Sequence, residues 1–349
     1  MGSLLAGAVL LLAACSGDEQ PSGGASERKD RPADQKPPSV CPLTGQKFPK
    51  GVDGSRPAVA VKIENSTEAR PQSGLEDADL VFEEIVEGGI TRFMAIYHCG
   101  TSHRAGPVRS ARFDDPKIAL PFTNVIAYSG SNQIVESELK RKRMVLLNEL
   151  NTEGSAFFRV PPGSTDTHSL FVNVDKLRAQ TPKRRKRQPR SGVFDFGALP
   201  GKARKVKRVV VNFTASNAIE WRFKGGQWRR WEDGAPFLTK GGGQLAVPNL
   251  LVQQVEVNNS RKIVDAAGNP SPDIGLHGSG KAWLLRDGRV VVGRWKVKRP
   301  GGAPRFTAKG KGSFTFAKGP IWVELVPSAK GEVKGSVTLG SGRASGKDR

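Results

Sequence analysis

The sequence predicts an α+β protein, with a mixed α/β first domain followed by a smaller β-rich second domain. Three observations carry that expectation. Before Thr181, alternating apolar runs stand beside one segment with helical caps and spacing. After Arg190, β-branched runs separated by Gly and Pro dominate. Between them lies a basic break, Thr181-Pro182-Lys183-Arg184-Arg185-Lys186-Arg187-Gln188-Pro189-Arg190.

Taken in order, Leu4 to Ala14 is uncharged and apolar and stops at Cys15. That run is too short to span a bilayer, which takes about 20 residues, and the small residues before a cysteine predict a signal peptide over 1–14. Leu12-Ala13-Ala14-Cys15 resembles the bacterial lipobox, which makes Cys15 the expected site of lipidation. Residues 15–40 are rich in Ser, Gly, Pro, Asp and Lys without apolar periodicity, so a lipidated, disordered tether is expected. The first domain is placed at 41–180. There Ala58 to Ile63 and Val125 to Tyr128 read as strands, and Gln133 to Leu147, opened by Ser131-Asn132, reads as a helix. A basic linker is placed at 181–205 and the second domain at 206–327. Its strands are Arg208 to Phe213, Asn249 to Val255 and Ile321 to Val326, with a hairpin turning at Asp287-Gly288. Residues 328–349, rich in Gly, Ser and Lys, read as a disordered tail.

With 55 Lys+Arg against 33 Asp+Glu, the chain carries a formal net charge of +22. Export directs that charge away from nucleic acid and toward anionic lipids or cell-wall polymers. Three cysteines and four histidines exclude a disulfide-dense miniature scaffold and a zinc ribbon. Once Cys15 is lipidated, Cys41 and Cys99 remain in an oxidising compartment and are expected to pair, the alternative being two buried thiols.

Three motifs follow one another in the first domain: Arg70-Pro71-Gln72-Ser73-Gly74, Glu87-Gly88-Gly89-Ile90-Thr91-Arg92-Phe93, and Gly106-Pro107-Val108-Arg109-Ser110-Ala111-Arg112. They resemble the YerB-like bacterial lipoproteins, the domain of unknown function 3048. The resemblance extends to Ser169-Leu170-Phe171 behind His168, to Asn249 and to Gly293-Arg294-Trp295. What it implies is an exported two-domain lipoprotein without an established activity.

If Leu80 to Val86 and Ile90 to Tyr97 pair across Glu87-Gly88-Gly89, the period of two sets Ile90, Arg92, Met94 and Ile96 on one face. A guanidinium there needs a carboxylate, so Arg92 is expected in a structural ion-pair network with Glu84 or Glu87. Arg70, Arg109 and Arg112 are the candidates for gripping an anionic ligand, because planar guanidiniums bind phosphate or carboxylate in a bidentate manner. Asp79, Glu84, Glu87 and His168 are the candidate catalytic residues. No metal or cofactor is expected: His98, Cys99 and His103 read as an incidental grouping, and no Gly-rich phosphate loop is present. The function expected is that of a lipoprotein anchored by its N-terminal lipid to the extracytoplasmic face of a bacterial membrane, serving as a binding or scaffolding module for an anionic envelope component. The alternative is an enzyme acting on a phosphate-bearing envelope substrate, lipid-linked or polymeric, through an arginine and acidic cluster.

Overall fold

The computed structural model describes residues 38–183, 188–199, 203–265, 267–310 and 312–340. Cys15, the signal peptide and nearly all of the tether lie outside the described residues, as do 184–187 of the basic break.

Among the described residues the first half supplies seven strands: β1 (Val59–Glu64), β2 (Leu80–Ile85), β3 (Thr91–Tyr97), β4 (Val125–Ala127), β5 (Val145–Leu147), β6 (Phe157–Arg159) and β7 (Leu170–Val172). Its helices are short: α1 (Asp115–Ala119), α2 (Gln133–Arg141) and α3 (Val174–Ala179). Among the described residues the largest sheet has 12 strands. Its central path runs Arg305–Ala308, Arg289–Val297, Gly278–Arg286, Asn249–Val264, Ile321–Pro327, and then β2, β3, β1, β4 and β5. Strands from both halves of the sequence thus meet in one sheet, joined where β2 pairs in parallel with Ile321–Pro327. A second sheet is built on Gln227–Glu232, Ala218–Lys224, Arg208–Asn212 and Ser336–Gly340.

The α+β expectation is therefore overturned: 42% of the described residues are strand and 11% helical. The physical reason is visible at the predicted helix. Asn132 caps α2 by accepting from the Val135 N–H, but the helix stops at Arg141. Arg143 takes φ 56°, and the Met144 N–H bonds back to the Leu139 carbonyl, the closure of a Schellman turn. Val145–Leu147, expected as its last turn, becomes a strand on the edge of the large sheet beside β4. The disordered tail is corrected as well. Val337 and Leu339 alternate with polar residues and pack against the core, so Ser336–Gly340 pairs with Arg208–Asn212.

The register positions the charged residues. Across β1, β3 and β2, Glu64 and Glu84 lie opposite Arg92, and Lys62 and Phe82 lie opposite Met94. These six occupy one face; Ile63, Glu83, Thr91 and Phe93 occupy the other. The second sheet packs on that other face through Phe93, Phe237, Trp221 and Trp322, whose rings meet at 5.2–6.0 Å. Trp221 and Trp228 are fully buried there, so these two tryptophans serve the core. On the first face Asp115 of α1 reaches Lys62, and the chain from Gly106 to Arg112 runs beside β1. The Asp287-Gly288 hairpin turns as expected, both residues at positive φ.

Candidate functional site

The Gly106–Arg112 segment is fixed by backbone bonds on several sides. The Val108 N–H donates to the Leu170 carbonyl, Arg109 to Lys62 and Ala111 to Gly130. Gly106 has φ 148°, and a Cβ there would stand 2.9 Å from the Leu170 carbonyl oxygen, so the close approach to β7 requires glycine. The segment pairs antiparallel beside the Lys62–Glu64 end of β1, and Arg109, Ser110 and Arg112 reach from there to Glu64, Arg92 and Glu87.

The side chains then order themselves around two carboxylates. Glu64, 2% exposed, holds Arg109 Nε at 3.0 Å through Oε1 and accepts from His168 Nδ1 at 2.8 Å through Oε2. His168 reaches it from the loop between β6 and β7, where Asp166 accepts the His168 backbone N–H. Glu87 accepts from Arg112 Nε at 2.6 Å and from the Ser271 hydroxyl. Burial pushes the Glu87 carboxyl up, but Arg112 and Ser271 outweigh it and hold it below the usual range. Arg92 lies between these pairs. Its Nη1 donates to the Ser110 carbonyl at 3.3 Å, and Arg112 Nη1 donates to the same oxygen at 3.3 Å, which brings the two guanidiniums together.

Arg92 has no carboxylate of its own among the described residues, and its Nε is buried without a hydrogen-bond partner. The expected pairing with Glu84 or Glu87 does not form. Glu87 is held by Arg112, and Glu84 is held by Lys62, which also bonds Asp115 at 2.8 Å. Burial, followed by the charges of Arg112 and Arg109, lowers the Arg92 guanidinium to about 10. Burial likewise pushes Glu84 up to about 7 against the pull of Lys62, with Asp115 adding to the rise. Three guanidiniums thus share two carboxylates. Beside them a cavity of about 290 Å³ is lined by Glu87, Arg112, Ser131, Asn132, Asp265 and Ser271.

The remaining candidates lie in other groups. Arg70 pairs with Glu232 at 2.6 Å and Asp233 at 2.5 Å, in the hairpin of the second sheet, and is not part of the arginine cluster. Asp79 accepts from the backbone N–H groups of His98 and Gly100, beside the Cys41–Cys99 disulfide. Sequence reasoning missed Lys62 and Glu64 as site residues and Arg230 as the centre of a second cluster. The signal for the first two was two charges at alternate positions of an otherwise apolar strand. Arg230 bonds Glu83 and Glu232 on the other face of the same strands, with Glu324 at 3.5 Å, all four nearly or wholly buried.

Fold and site together define a mostly β protein in which an arginine-rich segment runs beside a strand of a mixed sheet built from both halves of the chain. Residues 43–187 match the N-terminal domain, and residues 209–323 the C-terminal domain, of the family described as Protein of unknown function (DUF3048). The chain belongs to this family. It is 30% identical over 309 residues to the protein named "Putative lipoprotein YerB" of Bacillus subtilis (strain 168), covering 86% of this chain and 90% of that one. The crystal structure of YerB from Bacillus subtilis is similar at a TM-score of 0.69 with 26% identity, covering 85% of this chain and 98% of that one.

Proposed function

We propose that the protein is a lipid-anchored lipoprotein of the bacterial envelope that binds an anionic envelope component at Arg92, Arg109 and Arg112. The observation that carries the reading is Arg92. A guanidinium 6% exposed, without a carboxylate and beside two others, is costly to the empty site and is complemented by a bound anion. The Leu12-Ala13-Ala14-Cys15 sequence and the name of the Bacillus relative support the anchor. The net charge of +22 supports attraction to polyanions at the membrane surface.

Two measurements test the reading. Cys15→Ala, expressed in a bacterial host, is expected to move the protein from the membrane to the soluble fraction; unchanged membrane retention would refute the anchor. The full Cys15→Ala chain, titrated with poly(glycerol phosphate) and with a neutral glucan, is expected to bind only the first in a saturable manner. Arg109→Met and Arg112→Met should each weaken that binding by about tenfold or more, as loss of a charge-assisted contact worth about 1.5–3 kcal/mol requires. Equal affinity in both variants would remove the site from the reading.

A further inference from the structure

We propose that this site hydrolyses a phosphodiester bearing hydroxylated substituents, with His168 Nε2 as general base. The proposal rests on the anion-binding reading above and adds a reaction and a substrate class to it.

The first argument is the arrangement around Glu64. One carboxylate holds an imidazole on Oε2 and a guanidinium on Oε1. Accepting from Nδ1–H, Glu64 sets the tautomer that leaves Nε2 with its lone pair outward and fixes the orientation of the ring. Among the described residues Nε2 has no hydrogen-bond partner and is not among the buried unpaired atoms, while the His168 side chain is 26% exposed. Nε2 therefore faces solvent. A phosphoryl oxygen gripped by Arg109 sits next to the imidazole, since both are fixed to the same carboxyl group.

The second argument is charge. Arg109 and Arg112 are each held by one carboxylate, Glu64 and Glu87, while Arg92 between them has none of its own among the described residues. A singly charged phosphodiester oxygen would complement that guanidinium. The third is the adjoining cavity, where the Asn132 amide can donate and the remaining lone pairs of Ser131, Ser271, Glu87 and Asp265 can accept from hydroxyl groups. Its two carboxylates repel a second phosphate and accept from hydroxyls, so a polyol or sugar substituent suits it.

In the step itself, a water oxygen attacks phosphorus while His168 Nε2 removes one of its protons. The new P–O bond forms as one ester P–O bond breaks, and the electron pair leaves on the ester oxygen, which takes a proton from solvent. The imidazolium then returns its proton to solvent. The sum is diester plus water giving monoester plus alcohol, with no oxidant or reductant. The three guanidiniums stabilise the charge that builds on the non-bridging oxygens.

The test uses the full Cys15→Ala chain and bis(4-nitrophenyl) phosphate, read as release of 4-nitrophenolate. The background chain is expected to turn the probe over. His168→Ala is expected to lose about 100-fold or more of the rate, the range for removing a general base, with added free imidazole restoring part of it. Calorimetric titration of the same probe into His168→Ala should show binding retained, whereas Arg92→Met should lose it. Turnover absent from the background chain, or undiminished in His168→Ala, would overturn the proposal. If binding by His168→Ala persists in that case, the anion site stands and only the chemistry falls; absence of binding in every variant removes both.

Discussion

Replacing Arg92 by Met should stabilise the ligand-free protein, the opposite of what a buried ion-pair partner would show. The guanidinium is 6% exposed, and burial with the charges of Arg112 and Arg109 lowers it from its ordinary value to about 10. At 1.36 kcal/mol per tenfold change, that span corresponds to a charged form destabilised by about 3 kcal/mol relative to water. Met keeps much of the apolar stem and discards the charge. Against the gain stand the hydrogen bond to the Ser110 carbonyl, worth about 1 kcal/mol, and a small packing loss of about 1 kcal/mol where the guanidinium was. The net expectation is a gain of about 1 kcal/mol, or about 2 °C in melting temperature for a chain of this size. Urea unfolding of the full chain in phosphate-free buffer measures it, as a higher midpoint at unchanged slope. A saturating anion should then stabilise the parent but not the variant, because only the parent binds it. A loss of about 3–5 kcal/mol in Arg92→Met, the cost of stranding a buried partner, would show that Arg92 is a structural ion-pair residue and would refute the reasoning.

Lys62→Met strands Glu84 and Asp115 in the same buried group and should cost about 3–5 kcal/mol by denaturant unfolding, while Glu84→Gln leaves Lys62 its bond to Asp115 and should cost far less. The Glu84 carboxyl, raised by burial from 4.5 to about 7, binds its proton more tightly folded than unfolded, so its contribution is full below 4.5 and fades as the pH rises through 7. Glu84→Gln should therefore flatten the fall in stability over that window by up to about 3 kcal/mol, and an unchanged slope would exclude Glu84 as its source. Reducing the Cys41–Cys99 bridge, at a sequence separation of 58, should cost about 4 kcal/mol on the chain-entropy model. Thiol labelling of the unfolded, unreduced Cys15→Ala chain should find neither cysteine reactive.

The hairpin of β2 and β3 was legible from its alternation and from two glycines, Gly88 and Gly89, at φ 73° and 76° in the turn. So was the Asp287-Gly288 turn, because both are local signals. The mostly β architecture was not. Parallel pairing of β2 with Ile321–Pro327 joins residues more than two hundred positions apart, and no local pattern encodes it. The end of α2 was missed because its closing residue is Arg143 and not the glycine usual at that position. At the site, the alternating period correctly grouped Arg92 with its face. It could not assign partners, because Lys62 on a third strand reaches Glu84 first.

The same three strands carry an ion cluster on each face, and comparing the two separates structure from function. On the face under the second sheet, Arg230 and Arg70 meet Glu83 and Glu232. Burial and the nearby Glu83 push the Glu324 carboxyl well above the carboxylate range, where it also accepts from Trp221 Nε1. Each guanidinium here is held by carboxylates, Arg70 by Glu232 and Asp233 and Arg230 by Glu83 and Glu232, and Arg230 at the centre is wholly buried. A group so matched and so enclosed fixes the packing of the two sheets and has no charge left to offer a ligand. On the opposite face Arg92 lies between Arg109 and Arg112 without a carboxylate of its own among the described residues, Arg109 and Arg112 are each partly open to solvent, and a cavity adjoins them. A buried guanidinium without a carboxylate of its own is unfavourable to the fold by itself, and an anion reaching it past the partly open Arg109 and Arg112 would relieve that cost, which is the property the proposed site requires.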